Sequence, residues 1–494
     1  MTDYEEQKRL ITHIAYDLRG SMNIYAYRSY VLDLVFYRYL SEQVEQFVQS
    51  LSGVSYREMS DKDAEQYHIR VVSTLGYFIY PSRLFASVYK ASTTIPHLEL
   101  RLQDIFQDIE KSSVGRFAEP MFRSVFNGFA VVPLQHLPIS ANSYLVRLME
   151  SINKLDLSES TLLVHDIYDS IFSFFQRDTT STPTQVARLI ASLATLEKKH
   201  VRAVYDPSCG VGNILLAISE VMSEKEGTVD LGYYGQETNG HRYNFARMAM
   251  MMADLPVTHC SFVCRDALHD PQYQSIAPFD CIVTSLSETA LWDGFNSFER
   301  ADTRFTLLTD DLPMGGKSRW AYIMHILSYL SDNGRAVIAV HDSFLTDKGI
   351  DQLTRRYLLD HHYVESIVRL PDNLFPYPCN LLVLSQDPQR MTVRFIDARH
   401  EYEHGLLKPR LTDTNIQHIV WAAQAYRNIP NLVQCLPYDV LHAHQDILSV
   451  DTYTPQEHTT TPRVMAQDKE NSDDTNEIPV STSNKTIKQQ TTKQ

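Results

Sequence analysis

Asp206-Pro-Ser-Cys-Gly-Val-Gly-Asn213 follows the apolar-flanked run Val201-Arg-Ala-Val-Tyr205 and leads directly into Ile214-Leu-Leu-Ala-Ile218. That order reads as a short buried strand, a glycine-rich turn and the start of a helix. Gly210 and Gly212 let the backbone turn tightly and approach a ligand where a Cβ would stand in the way. The helix that follows offers free N–H groups to a polar ligand. Asp206, Ser208, Gly210, Gly212 and Asn213 are therefore the candidate binding residues of this turn.

Two more strand-like runs downstream also end in acids. Asp230-Leu-Gly-Tyr-Tyr-Gly-Gln-Glu237 places Glu237 just past the second strand, where an acid accepts the ribose hydroxyls of a nucleoside cofactor. Ser261-Phe-Val-Cys-Arg-Asp266 ends in Asp266, placed to accept from the exocyclic amine of an adenine ring. Ligands of open α/β sheets bind beyond the carboxyl ends of the strands, so three polar strand ends in register point to one site. Between the acids, Phe245, Met248, Ala249 and Met252 recur at helical spacing and read as core.

Strands and helices alternate from about Ser160 to Arg399, with strand candidates at Val204, Tyr233–Gly235, Phe262–Cys264, Cys281–Val283, Arg335–Val340, Val364–Leu370 and Leu381–Leu384. Such alternation predicts a doubly wound, mostly parallel α/β sheet. Asn333-Gly334 reads as the turn entering the fifth strand. Upstream, Ile11, Ile14, Ala15 and Leu18 and the aromatic run Tyr25–Tyr39 have helical spacing. The expected organisation is a helical N-terminal domain over 1–159, the α/β domain over 160–399, a short helical C-terminal segment over 400–453 and a disordered tail over 454–494. The tail is rich in Thr, Gln, Asn, Asp, Lys and Ser and has almost nothing to bury.

The 494-residue chain has no apolar stretch of the ~20 residues that span a membrane, and its polar start is not a signal peptide. A cytoplasmic, multi-domain protein is expected. Cys209, Cys260, Cys264, Cys281, Cys379 and Cys435 are scattered without metal-ligand spacing and read as buried free thiols, so no metal is expected. His400-Glu-Tyr-Glu-His404 reads as a solvated face. Sixty acids against 45 bases give a net charge of −15, unfavourable for holding DNA unaided. Arg355-Arg356 and Lys408-Pro-Arg410 are short basic clusters that read as exposed charges.

Together these segments resemble the methylation (M) subunit of type I restriction–modification systems, an S-adenosylmethionine-dependent family that methylates the adenine amine in DNA. The family's Asp-Pro-x-x-Gly-x-Gly-x-Leu-Leu turn resembles Asp206–Leu216, its Gly-Gln-Glu-x-Asn matches Gly235, Gln236, Glu237 and Asn239, and its Asp-x-Leu matches Asp266 and Leu268. Its Tyr-Thr-Pro element, which holds the methionine end of the cofactor, resembles Ser181-Thr182-Pro183 with the tyrosine replaced. Asp17–Met22 and Tyr27–Ser41 are similar to the opening helical segment, and Leu370-Pro-Asp-Asn-Leu-Phe375 to a late loop. The resemblance covers roughly residues 5–400. It implies S-adenosylmethionine as cofactor, and as partners a DNA-specificity subunit, a restriction subunit and double-stranded DNA reached through the complex.

The family's amine-holding loop, Asn-Pro-Pro-Tyr or Asn-Pro-Pro-Phe after the fourth strand, is where the chain departs. Here Phe279-Asp-Cys-Ile-Val283 is followed by Thr284-Ser285-Leu286-Ser287-Glu288-Thr289. Ser285 replaces the Asn, Leu286 and Ser287 the prolines, and Glu288 the aromatic that stacks on the flipped base. A serine hydroxyl does not reproduce a carboxamide's geometry, and a carboxylate does not stack on adenine. The expected outcome is a cofactor-binding homologue with weak or lost turnover. A non-catalytic scaffold subunit and a methyltransferase with another acceptor are the alternatives, since the glycine turn fixes the cofactor and not the acceptor.

Overall fold

Val204 and Tyr205 are neighbours on one strand and are buried in different cores, one on each face of a central sheet. A computed structural model describes residues 9–10, 24–131, 141–157, 182–226, 230–288, 290–292, 302–305, 316–375, 377–405 and 409–454. The expected tail from 455 onward, the Asp17–Met22 segment, the helical positions Ile11–Leu18, Ser181 and Thr289 lie outside the described residues.

The strands, in chain order, are β1 (Ala203–Asp206), β2 (Gly232–Gln236), β3 (Cys260–Val263), β4 (Phe279–Ser285), β5 (Leu291–Trp292), β6 (Gly316–Lys317), β7 (Leu330–His341), β8 (Val364–Arg369), β9 (Cys379–Ser385), β10 (Thr392–Asp397), β11 (Glu403–His404), β12 (Pro409–Arg410) and β13 (Val433–Pro437). Nine of them form one sheet in the order β3-β2-β1-β4-β7-β9-β8-β10-β13. β3, β2, β1, β4 and β7 are parallel. β9 is wedged antiparallel between β7 and β8, and β13 closes the far edge antiparallel to β10. The β5–β6 and β11–β12 pairs stand apart. Strand order reverses between β1 and β4, which opens a crevice at their carboxyl ends.

The sheet is covered on both faces, so its inner strands are buried almost throughout; all six residues of β8 are buried, Glu365 and Arg369 among them. One layer contains helices α4 (Thr184–Ala194), α5 (Asn213–Glu226), α6 (Gly240–Met252) and α9 (Asp413–Ala423), packed on Val204, Val283 and Val337. The other contains α7 (Arg319–Tyr329) and α8 (Ile350–Asp360), packed on Tyr205, Ile282 and Ile338. The α/β fold class expected from alternation is thus present, with the antiparallel β9 and β13 added to it. Phe245, Met248, Ala249 and Met252 are core residues of α6, as their spacing predicts.

Before the sheet, α1 (Ile24–Ser52) is buried on every side between Arg28 and Tyr37, which requires neighbours all round. α2 (Leu98–Ser112), α3 (Ala141–Asn153) and shorter helices surround it, with Phe106 stacked on Phe126 at 4.3 Å and Tyr30 edge-on to Phe129 at 4.5 Å. Polar contacts tie this helical region to α6. The buried Arg247 guanidinium donates to the carbonyls of Pro120 (3.0 Å), Met121 (3.2 Å) and Arg123 (3.0 Å). Tyr39 Oη lies 2.7 Å from the Met251 carbonyl.

Several expectations are adjusted. Asn333-Gly334 does not form a turn before a strand; it sits inside β7, where the pairing with β4 shifts register between Phe279 and Cys281. The segment after Arg399 supplies the edge strand β13 as well as α9. Arg355 is buried, not exposed, because its guanidinium donates to the carbonyls of Asp446 (2.7 Å) and Phe344 (2.5 Å). Cys264 is exposed because β3 ends one residue before it.

Candidate functional site

The turn after β1 closes on its own hydrogen bonds. The Gly212 amide donates to the Cys209 carbonyl (2.8 Å), and Cys209 N donates to Gln236 O (2.9 Å), which joins the turn to β2. Gly210 and Gly212 have φ of +57° and +86°, in the left-handed region that glycine enters at little cost. A Cβ on Gly212 would stand 3.3 Å from the Ala246 Cα, so α6 can pack close behind the turn. A Cβ on Gly210 would meet nothing within 4 Å; that side of the turn faces open space.

Two carboxylates hold the turn from below. Asp206 Oδ1 accepts from Ser208 N at 2.9 Å. Glu237 Oε2 accepts from Gly210 N at 2.9 Å and Oε1 from Asn239 N at 2.8 Å, so Glu237 braces the glycine turn and the start of α6 together. The Asn239 side chain caps that helix by accepting from His241 N and Arg242 N. Burial pushes the Asp206 carboxyl up to about 7, against the Ser208 amide and aided by the Glu237 charge.

These residues line a cleft of ≈ 570 Å³, counting its open mouth. Of the sequence-derived candidates, Thr182, Asp206, Ser208, Gly210, Asn213, Glu237, Ser285 and Ser287 line it. Thr182 is brought there by Asn213, whose Nδ2 donates to the Thr182 carbonyl at 2.9 Å. Pro183 caps the start of α4, and Gly212 lies behind the turn against α6. Asp266 stands outside the cleft lining, with Oδ1 accepting from Leu268 N at 2.8 Å. Among the described residues, no group of His, Cys, Asp and Glu is arranged to hold a metal ion, and no helix is long and apolar enough to cross a membrane.

The loop after β4 is pulled two ways. Leu286 is buried, and its amide donates to the Ala339 carbonyl at 3.0 Å. Glu288 is absent from the cleft lining and is engaged by cations. Arg319 Nη1 donates to its Oε2 at 2.6 Å, Ser343 Oγ to the same oxygen at 3.0 Å, and Lys317 Nζ to Oε1. Arg319, 3 % exposed, also binds Asp347 (2.8 Å) and Asp351 (2.5 Å). Burial by itself would raise the Glu288 carboxyl, but Lys317, Ser343 and Arg319 hold it below the ordinary range.

Three cleft-side residues were not legible as site residues in the sequence. Tyr377 reaches the lining from the loop before β9, beside Ser285, with its ring 5.5 Å from Phe375. Arg242 enters from the first turn of α6. Tyr322, on α7, stands near all three acids; burial, then Asp266, Glu237 and Asp206, push its phenol up. The Leu370–Phe375 loop was the one signal that pointed toward Tyr377.

A doubly wound sheet with a glycine turn after β1, a buried acid after β2 and a loop after β4 along the same cleft defines the S-adenosylmethionine-dependent methyltransferase class. Residues 160–461 match the N-6 DNA Methylase family, and residues 8–136 match the HsdM N-terminal domain. The chain belongs to the N-6 DNA methylase family, among the methylation subunits of type I restriction–modification systems. It is 28 % identical to the type I restriction enzyme MpnII methylase subunit of Mycoplasma pneumoniae, over 91 % of this chain and 89 % of that one. It is 24 % identical to the type I restriction enzyme EcoEI methylase subunit of Escherichia coli, over 62 % and 61 % respectively. Its fold resembles the type I restriction-modification system methyltransferase subunit from Streptococcus thermophilus, with a TM-score of 0.78 and 23 % identity over 90 % of this chain and 98 % of that one.

Proposed function

We propose that this chain binds S-adenosylmethionine in the cleft and serves as the methylation subunit of a cytoplasmic DNA-modification complex, with transfer to adenine slow or absent. The residues present fit the cofactor: a turn open to solvent at Gly210, a buried acid at Glu237, and polar side chains at Thr182, Ser208 and Asn213. When bound, the cofactor supplies an electrophilic methyl group. The chain's own part is to hold it: Glu237 accepts the ribose hydroxyls, and the Asp206–Asn213 turn and Thr182-Pro183 take the methionine end, with Asp266 facing the adenine amine.

The observation that carries the loss of turnover is the engagement of Glu288 by Arg319, Lys317 and Ser343. The residue at the stacking position is committed to an ion network. Leu286, at a proline position, has its side chain buried in the sheet core and lacks the ring that would fix the loop's backbone. Ser285 and Ser287 are the polar groups left on this loop at the cleft, and neither has a carboxamide's reach. Removing one well-placed transition-state contact costs about 10²–10³ in rate, and here several are replaced together.

Charge supports the partner reading. At −15 the chain is poorly suited to gripping a polyanion alone, so a specificity subunit supplies the DNA contacts and a restriction subunit completes the assembly. The test is tritiated-methyl transfer by the chain assembled with its specificity subunit on target DNA. Cofactor binding without appreciable incorporation is expected; incorporation at the rate of an intact methylation subunit would defeat the reading. The purified chain alone should show no tight, salt-sensitive duplex binding.

A further inference from the structure

His325, on α7, is wholly buried, with its ring nitrogens engaged on opposite sides. Arg304 Nη1 lies 2.8 Å from Nδ1, and Tyr205 Oη lies 3.0 Å from Nε2. A guanidinium can only donate, so Nδ1 accepts and the imidazole is neutral with its proton on Nε2. Burial, then the Arg304 charge, keeps the ring from protonating. The direction of the chain follows from this: Nε2–H donates to Tyr205, and Tyr205 donates to Gln236 Oε1 at 3.0 Å. Arg304 donates in addition to the carbonyls of Ala267 (2.9 Å) and Leu268 (2.6 Å).

Arg304 is also held by Asp302 (2.6 Å), and the remaining groups reached by this hub lie within two residues of the three acids. Tyr205 precedes Asp206 on β1, Gln236 precedes Glu237 after β2, and Ala267 follows Asp266. We propose that Arg304 and His325 are positioning residues that hold these three strand ends in register, so that cofactor affinity depends on a buried pair that lines no part of the cleft. The inference rests on the reading of the cleft as the S-adenosylmethionine site. Gln236 is fully buried, and its carbonyl oxygen also accepts from Gln272 N at 3.1 Å. Tyr205 adds a third hydrogen bond to those that Gln236 makes with Gln272 N and the Asp270 carbonyl (3.1 Å), and Tyr205 is itself aimed by His325. A packed apolar core would hold the strands apart at the right distance but would not set that direction.

The test uses the full chain and isothermal calorimetry with S-adenosylhomocysteine. Tyr205→Phe removes one hydroxyl and keeps the ring that stacks on Phe279 at 5.0 Å. His325→Asn keeps an acceptor for Arg304 and loses the link to Tyr205. Each is expected to weaken binding about 5–20-fold while far-UV circular dichroism stays native, and the double variant to weaken it no further, because both cut one chain of bonds. Wild-type affinity in both single variants, or losses that add in the double, would overturn the inference while leaving the site reading standing. No binding by the wild-type chain would overturn both. Should His325→Asn fail to fold, Tyr205→Phe alone decides: a loss supports the inference and wild-type affinity ends it.

Discussion

Arg319 donates to Glu288 across 2.6 Å, joining the first turn of α7 to the loop after β4. The guanidinium is almost wholly buried, and it shares itself among Glu288, Asp347, Asp351 and Ser343. A buried cation of this kind is stable only while its acids remain. The glutamate at the stacking position is thus a structural partner of α7, and the loop's departure from the family motif is coupled to residues far along the chain.

Glu288→Tyr should therefore destabilise the fold by about 1.5–3 kcal/mol, the scale of lost charge-assisted hydrogen bonds. Restoring Asn-Pro-Pro-Tyr at 285–288 alone should raise methyl transfer little, because Arg319 and Lys317 lose their counter-charge in the same step. The pH dependence has a definite sign. The Glu288 carboxyl is held below its ordinary value of 4.5, so its contribution is present above that pH and is lost as pH falls through the lower folded-state value. The melting-temperature gap between wild type and Glu288→Gln should close on acidification; a constant gap would mean that charge is not what holds the loop.

Asp206 has the opposite sign. Burial raises its carboxyl from 3.8 to about 7, so between those values the folded chain binds a proton that the unfolded chain releases. Stability should fall as pH rises through that window. Asp206→Asn keeps an oxygen for the Ser208 amide and has no charge to bury. It should melt with the wild type near pH 4 and above it at pH 8. Thermal denaturation across that range checks the slope, and parallel curves for the two proteins would refute the burial argument.

What was legible in the sequence follows the range of each signal. Strand β1, the glycine turn and α5 are written within a few residues, as alternation and glycine placement, and they stand where the sequence puts them. Glu237, a strand-end acid and so also a local signal, lines the cleft, whereas Asp266 stands outside its lining. β10 and β13 were missed: they join the sheet only because β8 offers its edge to β10 and β10 in turn to β13. The Glu288–Arg319 pair spans 31 positions, and Tyr377 reaches the cleft from a loop between β8 and β9. No local pattern encodes such meetings; they appear only once the sheet order is known.

Glu237→Gln separates two roles of one side chain. The carboxylate accepts from Gly210 N (2.9 Å) and Asn239 N (2.8 Å) and is also the proposed ribose acceptor. Alanine would loosen the turn and remove the ligand contact together. Glutamine keeps one oxygen and offers an amide nitrogen that no backbone N–H can satisfy. Calorimetry with S-adenosylhomocysteine should show a loss of about 1.5–3 kcal/mol for Glu237→Gln and more for Glu237→Ala. Equal affinities in wild type and both variants would remove Glu237 from the binding site.

Arg247 is the polar tie between the helical region and α6. Its guanidinium donates to the carbonyls of Pro120, Met121 and Arg123 and lies over the Tyr243 ring at 4.1 Å. Arg247→Met fills much of the same volume but leaves those buried carbonyls without their donor, at a cost of about 3 kcal/mol. The loss falls at the junction, so the helical region should unfold first. The chain's three tryptophans, Trp292, Trp320 and Trp421, all lie beyond the helical region. Tryptophan fluorescence therefore follows the α/β part, whereas far-UV circular dichroism follows both. In urea the two transitions should coincide in the wild type and separate in Arg247→Met, with the circular dichroism signal falling earlier. Coincident transitions at an unchanged midpoint in the variant would show that apolar packing alone holds the two parts together.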